Sequence, residues 1–232
     1  MQKYDTILFD ADGTLFDFLR GERVALISAL EMNGYYISEE DVGVYSAIND
    51  SLWKALERGE VDKETLKTKR FEIFTERKGF NCNVKKLATD YTDQLSEQHF
   101  LIEGALDAVT ALSEKCRLYI ITNGISYVQR NRFSNSPVNE FIRELFISEE
   151  VGYEKPSVHY FEYVESKIDN FDASKTLVVG DSLTSDMQGG VNAGLDCCYF
   201  NSDGKKIPEE SPLYGKVKYT ISRLDELIYI VS

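Results

Sequence analysis

The sequence predicts an α/β fold, with a parallel sheet core carrying helices on both faces and an all-helical domain inserted after the first strand. Two observations predict it. Short, continuously apolar runs end abruptly at polar residues and are separated by helical or loop-like sequence, the pattern of strands buried on both faces. Between the first and second runs lies a long section with helical spacing and little strand signal.

In chain order, Thr6-Ile7-Leu8-Phe9 reads as the first strand and stops at Asp10. Residues 16–99 then read as the insert. Val24, Ile27, Ser28 and the segment 30–32 suit an amphipathic helix ending near Asn33-Gly34; Leu52, Trp53 and Leu56 continue one to Arg58-Gly59; Leu66, Arg70, Phe71 and Phe74 mark another reaching Lys78-Gly79. Strands resume with Leu118-Tyr119-Ile120-Ile121 before Thr122, Leu145-Phe146-Ile147, Thr176-Leu177-Val178-Val179 before Gly180, Cys197-Cys198-Tyr199-Phe200 and Tyr219-Thr220-Ile221. The domains implied are residues 1–15 with 100–232 as the α/β core and 16–99 as the helical insert. In such a sheet, ligands belong at the carboxyl ends of the strands.

Composition narrows the function. The 232 residues include 26 Lys+Arg and 39 Asp+Glu, a formal net charge of −13, with 43% hydrophobic residues and 4 Pro. This is globular composition. The negative charge argues against a polymeric nucleic-acid partner, and an anionic small substrate would need a cation in its site. No apolar stretch approaches the roughly 20 residues that span a bilayer, and the first residues lack a signal-peptide layout, so the expectation is a cytoplasmic protein with no membrane partner. Cys82, Cys116, Cys197 and Cys198 have no CxxC spacing, and His99 and His159 stand apart from them, which reads as reduced thiols and no zinc site.

Chemistry concentrates at four strand ends. Asp10-Ala11-Asp12-Gly13-Thr14 places two carboxylates one residue apart above the sheet. One carboxylate can attack phosphorus to form an aspartyl-phosphate; the other can protonate the leaving oxygen and then deprotonate water. Two such acids beside a phosphate call for a divalent cation. Thr122-Asn123-Gly124 offers a hydroxyl and amides to a phosphoryl oxygen, and Lys155, before Pro156, a compact positive charge. Gly180-Asp181 through Asp186 adds oxygen ligands. Each segment alone also reads as a surface turn or a helix start. Four such coincidences at four strand ends in one chain do not.

Together, Asp10-x-Asp12-Gly13-Thr14, Thr122, Lys155-Pro156 and Gly180-Asp181 to Asp186 resemble the four motifs of the haloacid dehalogenase-like hydrolase superfamily, in its order and over nearly the whole chain. The resemblance implies a Rossmann-like core and a C1 cap that closes over the site, excludes water and supplies substrate contacts. It implies Asp10 as nucleophile and Mg²⁺ ligand, Asp12 as general acid/base ligating through its carbonyl, and Thr122 and Lys155 as catalytic phosphate-binding residues. Asp181 matches the further metal ligand and Asp186 the supporting acid. True dehalogenases lack an acid at the position of Asp12, which favours phosphoryl transfer here.

In the insert, Ile48-Asn49, Leu52-Trp53, Gly59 and Arg70-Phe71 resemble the pyrimidine-type 5'-nucleotidases, as does Ile121-Thr122-Asn123-Gly124. The implied function is a Mg²⁺-dependent phosphatase acting on a small phosphorylated metabolite, a nucleoside 5'-monophosphate first. A sugar-phosphate phosphatase or phosphomutase and a non-catalytic phosphate-binding module are the alternatives. Phe16, Phe18 and Asn123 are further candidates to meet substrate, with hinge packing as the other reading of the two Phe. Asn49 and Arg70 are candidates for a sugar or base contact, or for an internal hydrogen bond.

Overall fold

Six strands form one parallel sheet in the order β3-β2-β1-β4-β5-β6. The computed structural model describes residues 2–204 and 206–232. The strands are β1 (Thr6–Asp10), β2 (Arg117–Thr122), β3 (Ile142–Ile147), β4 (Thr176–Gly180), β5 (Asp196–Phe200) and β6 (Tyr219–Ile221). β1 pairs with β2 on one side, Thr6 opposite Arg117, and with β4 on the other, Thr6 opposite Thr176. The chain therefore winds one way from β1 to β3 and the other way from β4 to β6, and the crevice for a ligand lies above β1, where the order reverses.

Alternate residues of each strand feed two separate cores. Ile7, Phe9, Leu118, Ile120, Leu177, Val179 and Cys198 belong to one, which helix α5 (Ala105–Ser113) covers with Ala105, Ala108, Val109 and Leu112. Leu8, Tyr119, Ile121, Val178 and Cys197 belong to the other, against Tyr160, Phe161 and Val164 of α8 (Val158–Lys167). Burial on both faces is why the strands carry no polar alternation, and why Cys197 and Cys198 are both buried, one in each core.

By contacts the chain divides into two units, Met1–Asp17 with Leu101–Ser232, and Phe18–Phe100. The first join falls two residues beyond the one read from sequence and the second falls one beyond. Phe18–Phe100 contains α1 (Phe18–Met32), α2 (Glu39–Glu57), α3 (Lys63–Lys78) and α4 (Val84–Ser96). The starts of α2, α3 and α4 are capped: Ser38 and Asp41 form a reciprocal capping box, and Asp62 and Asn83 accept from Thr65 N and Lys86 N. α4 is not singled out by the sequence reading, although Leu87, Ala88, Tyr91 and Leu95 give it a buried stripe.

Tyr45, Phe71, Phe74 and Tyr91 form the aromatic centre of this unit, with Tyr45 5.2 Å from Phe71 and 5.6 Å from Phe74. Beside it runs a buried polar chain. Arg70 NH1 donates to Asn49 Oδ1 at 3.0 Å, Asn49 Nδ2 donates to Glu22 Oε1 at 2.7 Å, and Ser46 Oγ donates to Glu22. Asn49 and Arg70 thus take the internal hydrogen-bond role. Trp53 is half-buried and Phe71 fully buried.

The remaining helices are α6 (Ser126–Ser134), the single turn α7 (Ser148–Val151), α9 (Gln188–Asn192), which follows one wide π-turn at Leu183–Met187, and α10 (Leu227–Ile230). Among the described residues, no helix is long and apolar enough to cross a membrane.

Candidate active site

The carboxyl ends of β1, β2 and β4, with the loop after α7, bring Asp10, Thr122, Lys155, Asp181 and Asp186 together. Asp10, the last residue of β1, is 7% exposed. Lys155 is 1% exposed, and its ammonium donates to Asp10 Oδ1 at 2.6 Å, Asp186 Oδ1 at 2.7 Å and the Ile121 carbonyl at 2.9 Å. All three N–H groups are used, as burial of an ammonium demands. Burial alone would lower the Lys155 pKa; the charges of Asp10 and Asp186 outweigh it and hold the group above the ordinary lysine range.

The backbone of Lys155 is gripped from β2. Lys155 N donates to Asn123 Oδ1 at 2.9 Å, and Asn123 Nδ2 donates to the Lys155 carbonyl at 2.8 Å. Both ends of the Asn123 side-chain amide thus brace Lys155. Thr122 is 2% exposed, and its hydroxyl accepts from Gly124 N at 3.0 Å. Beneath it, the Tyr160 hydroxyl accepts from Thr122 N at 3.1 Å and donates to the Phe146 carbonyl at 2.8 Å.

Oxygens of Asp10, Asp181 and Asp186 lie within 4.8 Å of one another. Asp186 is fully buried, and its second oxygen accepts from Ser182 N at 3.0 Å, so it supports Lys155 and the loop after β4. Gly13 makes the crowding possible: its φ is +88°, and a Cβ there would lie 2.4 Å from Asp181 Oδ2. Burial, then the Asp186 charge, push the Asp10 carboxyl well above the usual carboxylate range against the pull of Lys155. Asp181 is exposed as a residue, but its carboxyl faces the cluster; desolvation there and the charge of Asp186 push it up to about 7.

A carboxyl with a raised folded-state pKa binds more protons folded than unfolded, so its contribution to stability is present at low pH and lost as pH rises. For Asp181 the window runs from about 4, the unfolded value, to about 7. In EDTA, Asp181→Asn is therefore expected to melt at a progressively higher temperature relative to wild type as pH climbs through that window. A difference that stays flat with pH contradicts the crowding described above.

Asp12 takes its hydrogen bonds from outside this cluster. Its side chain is 25% exposed; Oδ1 accepts from Arg132 Nη1 at 2.6 Å and Oδ2 from Gln129 Nε2 at 2.5 Å. Both donors lie on α6, and the sequence reading names neither. The available signal is weak: α6 has no clear apolar stripe, and Gln129 and Arg132, three residues apart, read as a solvated face although both are 2% exposed. Phe16 takes the packing place of its two readings. It is 1% exposed within the core, with the Arg132 guanidinium 4.7 Å above its ring. Phe18, half-buried, begins α1 in the other unit.

A carboxylate at the end of the central strand, a buried lysine bridging two acids, and two acids that follow β4 meet at one end of the sheet. Residues 7–200 match the haloacid dehalogenase-like hydrolase family. The chain belongs to that family. It is 37% identical to the HAD-hydrolase YfnB of Bacillus subtilis over 100% of this chain and 97% of that protein. The crystal structure of YfnB bound to magnesium, which reveals interdomain movement, matches with a TM-score of 0.91 over 100% of both chains.

Two further relatives carry a named activity. The pyrimidine 5'-nucleotidase PynA of Streptococcus pneumoniae is 36% identical over 85% of this chain and 84% of its own. The pyrimidine 5'-nucleotidase YjjG of Escherichia coli is 34% identical over 97% of this chain and 96% of its own. Within the family, the acid cluster suits a hard cation: three carboxylates face a single ammonium, and oxygen donors of net negative charge are what Mg²⁺ prefers.

Proposed function

We propose that the chain is a Mg²⁺-dependent phosphomonoester hydrolase working through an aspartyl-phosphate, with pyrimidine nucleoside 5'-monophosphates as substrates. The observation that carries the reading is the buried Lys155 ammonium, which fixes one oxygen of Asp10 at the crevice above β1. The other Asp10 oxygen is the candidate nucleophile. The carboxylates of Asp10 and Asp181 and the Asp12 carbonyl would hold the cation; bound there, Mg²⁺ would act as a Lewis acid on a phosphoryl oxygen and offset the shared negative charge.

The chain's own groups divide the remaining work. An Asp10 oxygen bonds to phosphorus as the ester P–O bond breaks, and Asp12 gives its proton to the departing alcohol oxygen. Asp12 then takes a proton from water, whose oxygen bonds to phosphorus as the Asp10 O–P bond breaks, and inorganic phosphate leaves. Lys155 would neutralise Asp10 before the attack, and Thr122, at the end of β2, would meet a phosphoryl oxygen. Similarity to PynA and YjjG supports the pyrimidine assignment.

The test is phosphate release from pyrimidine and purine nucleoside monophosphates, sugar phosphates and an aryl phosphate, with Mg²⁺ and with EDTA. The expected result is turnover of uridine and thymidine monophosphates at least tenfold above the purine nucleotides, lost in EDTA. Turnover of sugar phosphates alone would remove the nucleotide assignment and keep the chemistry. Equal turnover in EDTA would remove the cation.

A further inference from the structure

We propose that Gln129 and Arg132 of α6 are positioning residues, which hold the Asp12 carboxyl in the orientation from which it protonates the leaving group. The inference rests on the phosphatase reading above and adds the residues that make its acid effective. An aspartate side chain one-quarter exposed and without partners exchanges among rotamers, and proton transfer needs one geometry. Here each Asp12 oxygen accepts one N–H, from Arg132 at 2.6 Å and from Gln129 at 2.5 Å. A carboxylate oxygen has two lone-pair sites, so the clamp fixes the group and leaves each oxygen a site for a proton.

The clamp is itself held rigidly. Arg132 is 2% exposed, its guanidinium stacks on the buried Phe16 ring at 4.7 Å, and Phe16 O accepts from Gly13 N at 2.9 Å. Arg132 and the Asp12 loop are thus parts of one packed unit. The outer face of α6 is fixed as well, with Ser126 N donating to Glu149 Oε2 at 2.7 Å and Arg130 Nε donating to Glu150 Oε1 at 2.8 Å. Gln129 reaches Asp12 over Gly124: a Cβ on that glycine would lie 2.2 Å from Gln129 Nε2. The glycine of the Thr122-Asn123-Gly124 segment therefore admits the amide that orients the acid.

The arrangement is a poor choice for stability alone. Arg132 Nε is buried with no acceptor among the described residues, which costs free energy that a smaller apolar side chain would avoid.

The experiment compares kcat/KM for two esters in Mg²⁺. Uridine 5'-monophosphate has an alkoxide leaving group that must be protonated; p-nitrophenyl phosphate releases a stabilised phenolate that need not be. If alcohol departure is irreversible, kcat/KM reads only the first phosphoryl transfer. Gln129→Met and Arg132→Met are expected to lower the uridine monophosphate value on the order of 10²-fold, the lower end of what a general acid contributes. The aryl ester value should change by less than about threefold, and Arg132→Lys should recover much of the alkyl-ester loss.

Equal losses on both esters, or no loss on either, overturn the positioning role. Should Arg132→Met fail to fold, the neutral and nearly isosteric Gln129→Met decides alone, with its aryl-ester turnover as proof of a folded site. A wild-type chain that hydrolyses neither ester overturns the phosphatase reading itself, and the two failures are therefore told apart.

Discussion

Asp10→Asn is expected to reduce phosphate release to the level of the blank, a loss on the order of 10⁴-fold or more, while the protein melts no lower than wild type in EDTA. The carbon skeleton is unchanged, and the amide oxygen can still accept from the Lys155 ammonium, which in wild type is 2.6 Å from Asp10 Oδ1. What is lost is the nucleophile, and removing a covalent participant costs rate factors of that size. What is gained is relief: burial and the charge of Asp186 hold the Asp10 carboxyl above the usual carboxylate range, so a neutral group at this position is better tolerated. Opposite signs in activity and stability mark a residue kept for chemistry. Turnover within tenfold of wild type would remove Asp10 as nucleophile, and an acid-quenched phosphoenzyme present in wild type and missing in the variant would support the covalent step.

Lys155→Met is expected to fail in both respects. The ammonium is the shared partner of Asp10, Asp186 and the Ile121 carbonyl, and methionine supplies none of the three donors. Two buried carboxylates then face each other without a cation, and breaking such a pair from one side costs about 3–5 kcal/mol. In EDTA at pH 8 the variant should melt far below wild type, with the deficit shrinking toward pH 5 as the Asp10 carboxyl, already held above the usual carboxylate range, takes up a proton. Turnover in Mg²⁺ should fall on the order of 10²- to 10³-fold through loss of charge stabilisation. Lys155→Arg is not expected to rescue it, because the 1% exposed site is packed around a compact ammonium. A variant as stable as wild type at pH 8 in EDTA would contradict the role assigned to this lysine.

The strands were legible because burial on both faces leaves a physical signature: an unbroken apolar run that stops where the first polar residue or glycine ends it. Asp10, Thr122 and Gly180 are those stops, and each is the last residue of its strand. Roles that depend on packing across the sheet were not legible. Nothing local to Asn123 says that its amide will clasp the Lys155 backbone, 32 residues further along. Phe16 follows the nucleophile loop closely enough to suggest a pocket, and only the tertiary fold shows its ring between the core and a guanidinium. Gln129 and Arg132 escaped because buried polar residues look, in sequence, like solvated ones; what hides them from water is the Asp12 loop, more than a hundred residues earlier.

The central place of β1 also shapes how the molecule comes to exist. The strand that ends in Asp10 leaves the ribosome well before either of its neighbours, which pair with it from Arg117 and Thr176. Ile7, Leu8 and Phe9 must stay unpaired until most of the chain has been made, whereas the helices of Phe18–Phe100 find their partners within their own segment. Loop-closure entropy grows only with the logarithm of length, about 0.6 kcal/mol for each doubling, so the helical insertion burdens the search for β1's partners far more than the final stability. Asp10 is thus synthesised long before it can be assembled with its neighbours, and a nascent chain cannot bring Asp10 and Asp181 together before β4 has joined the sheet.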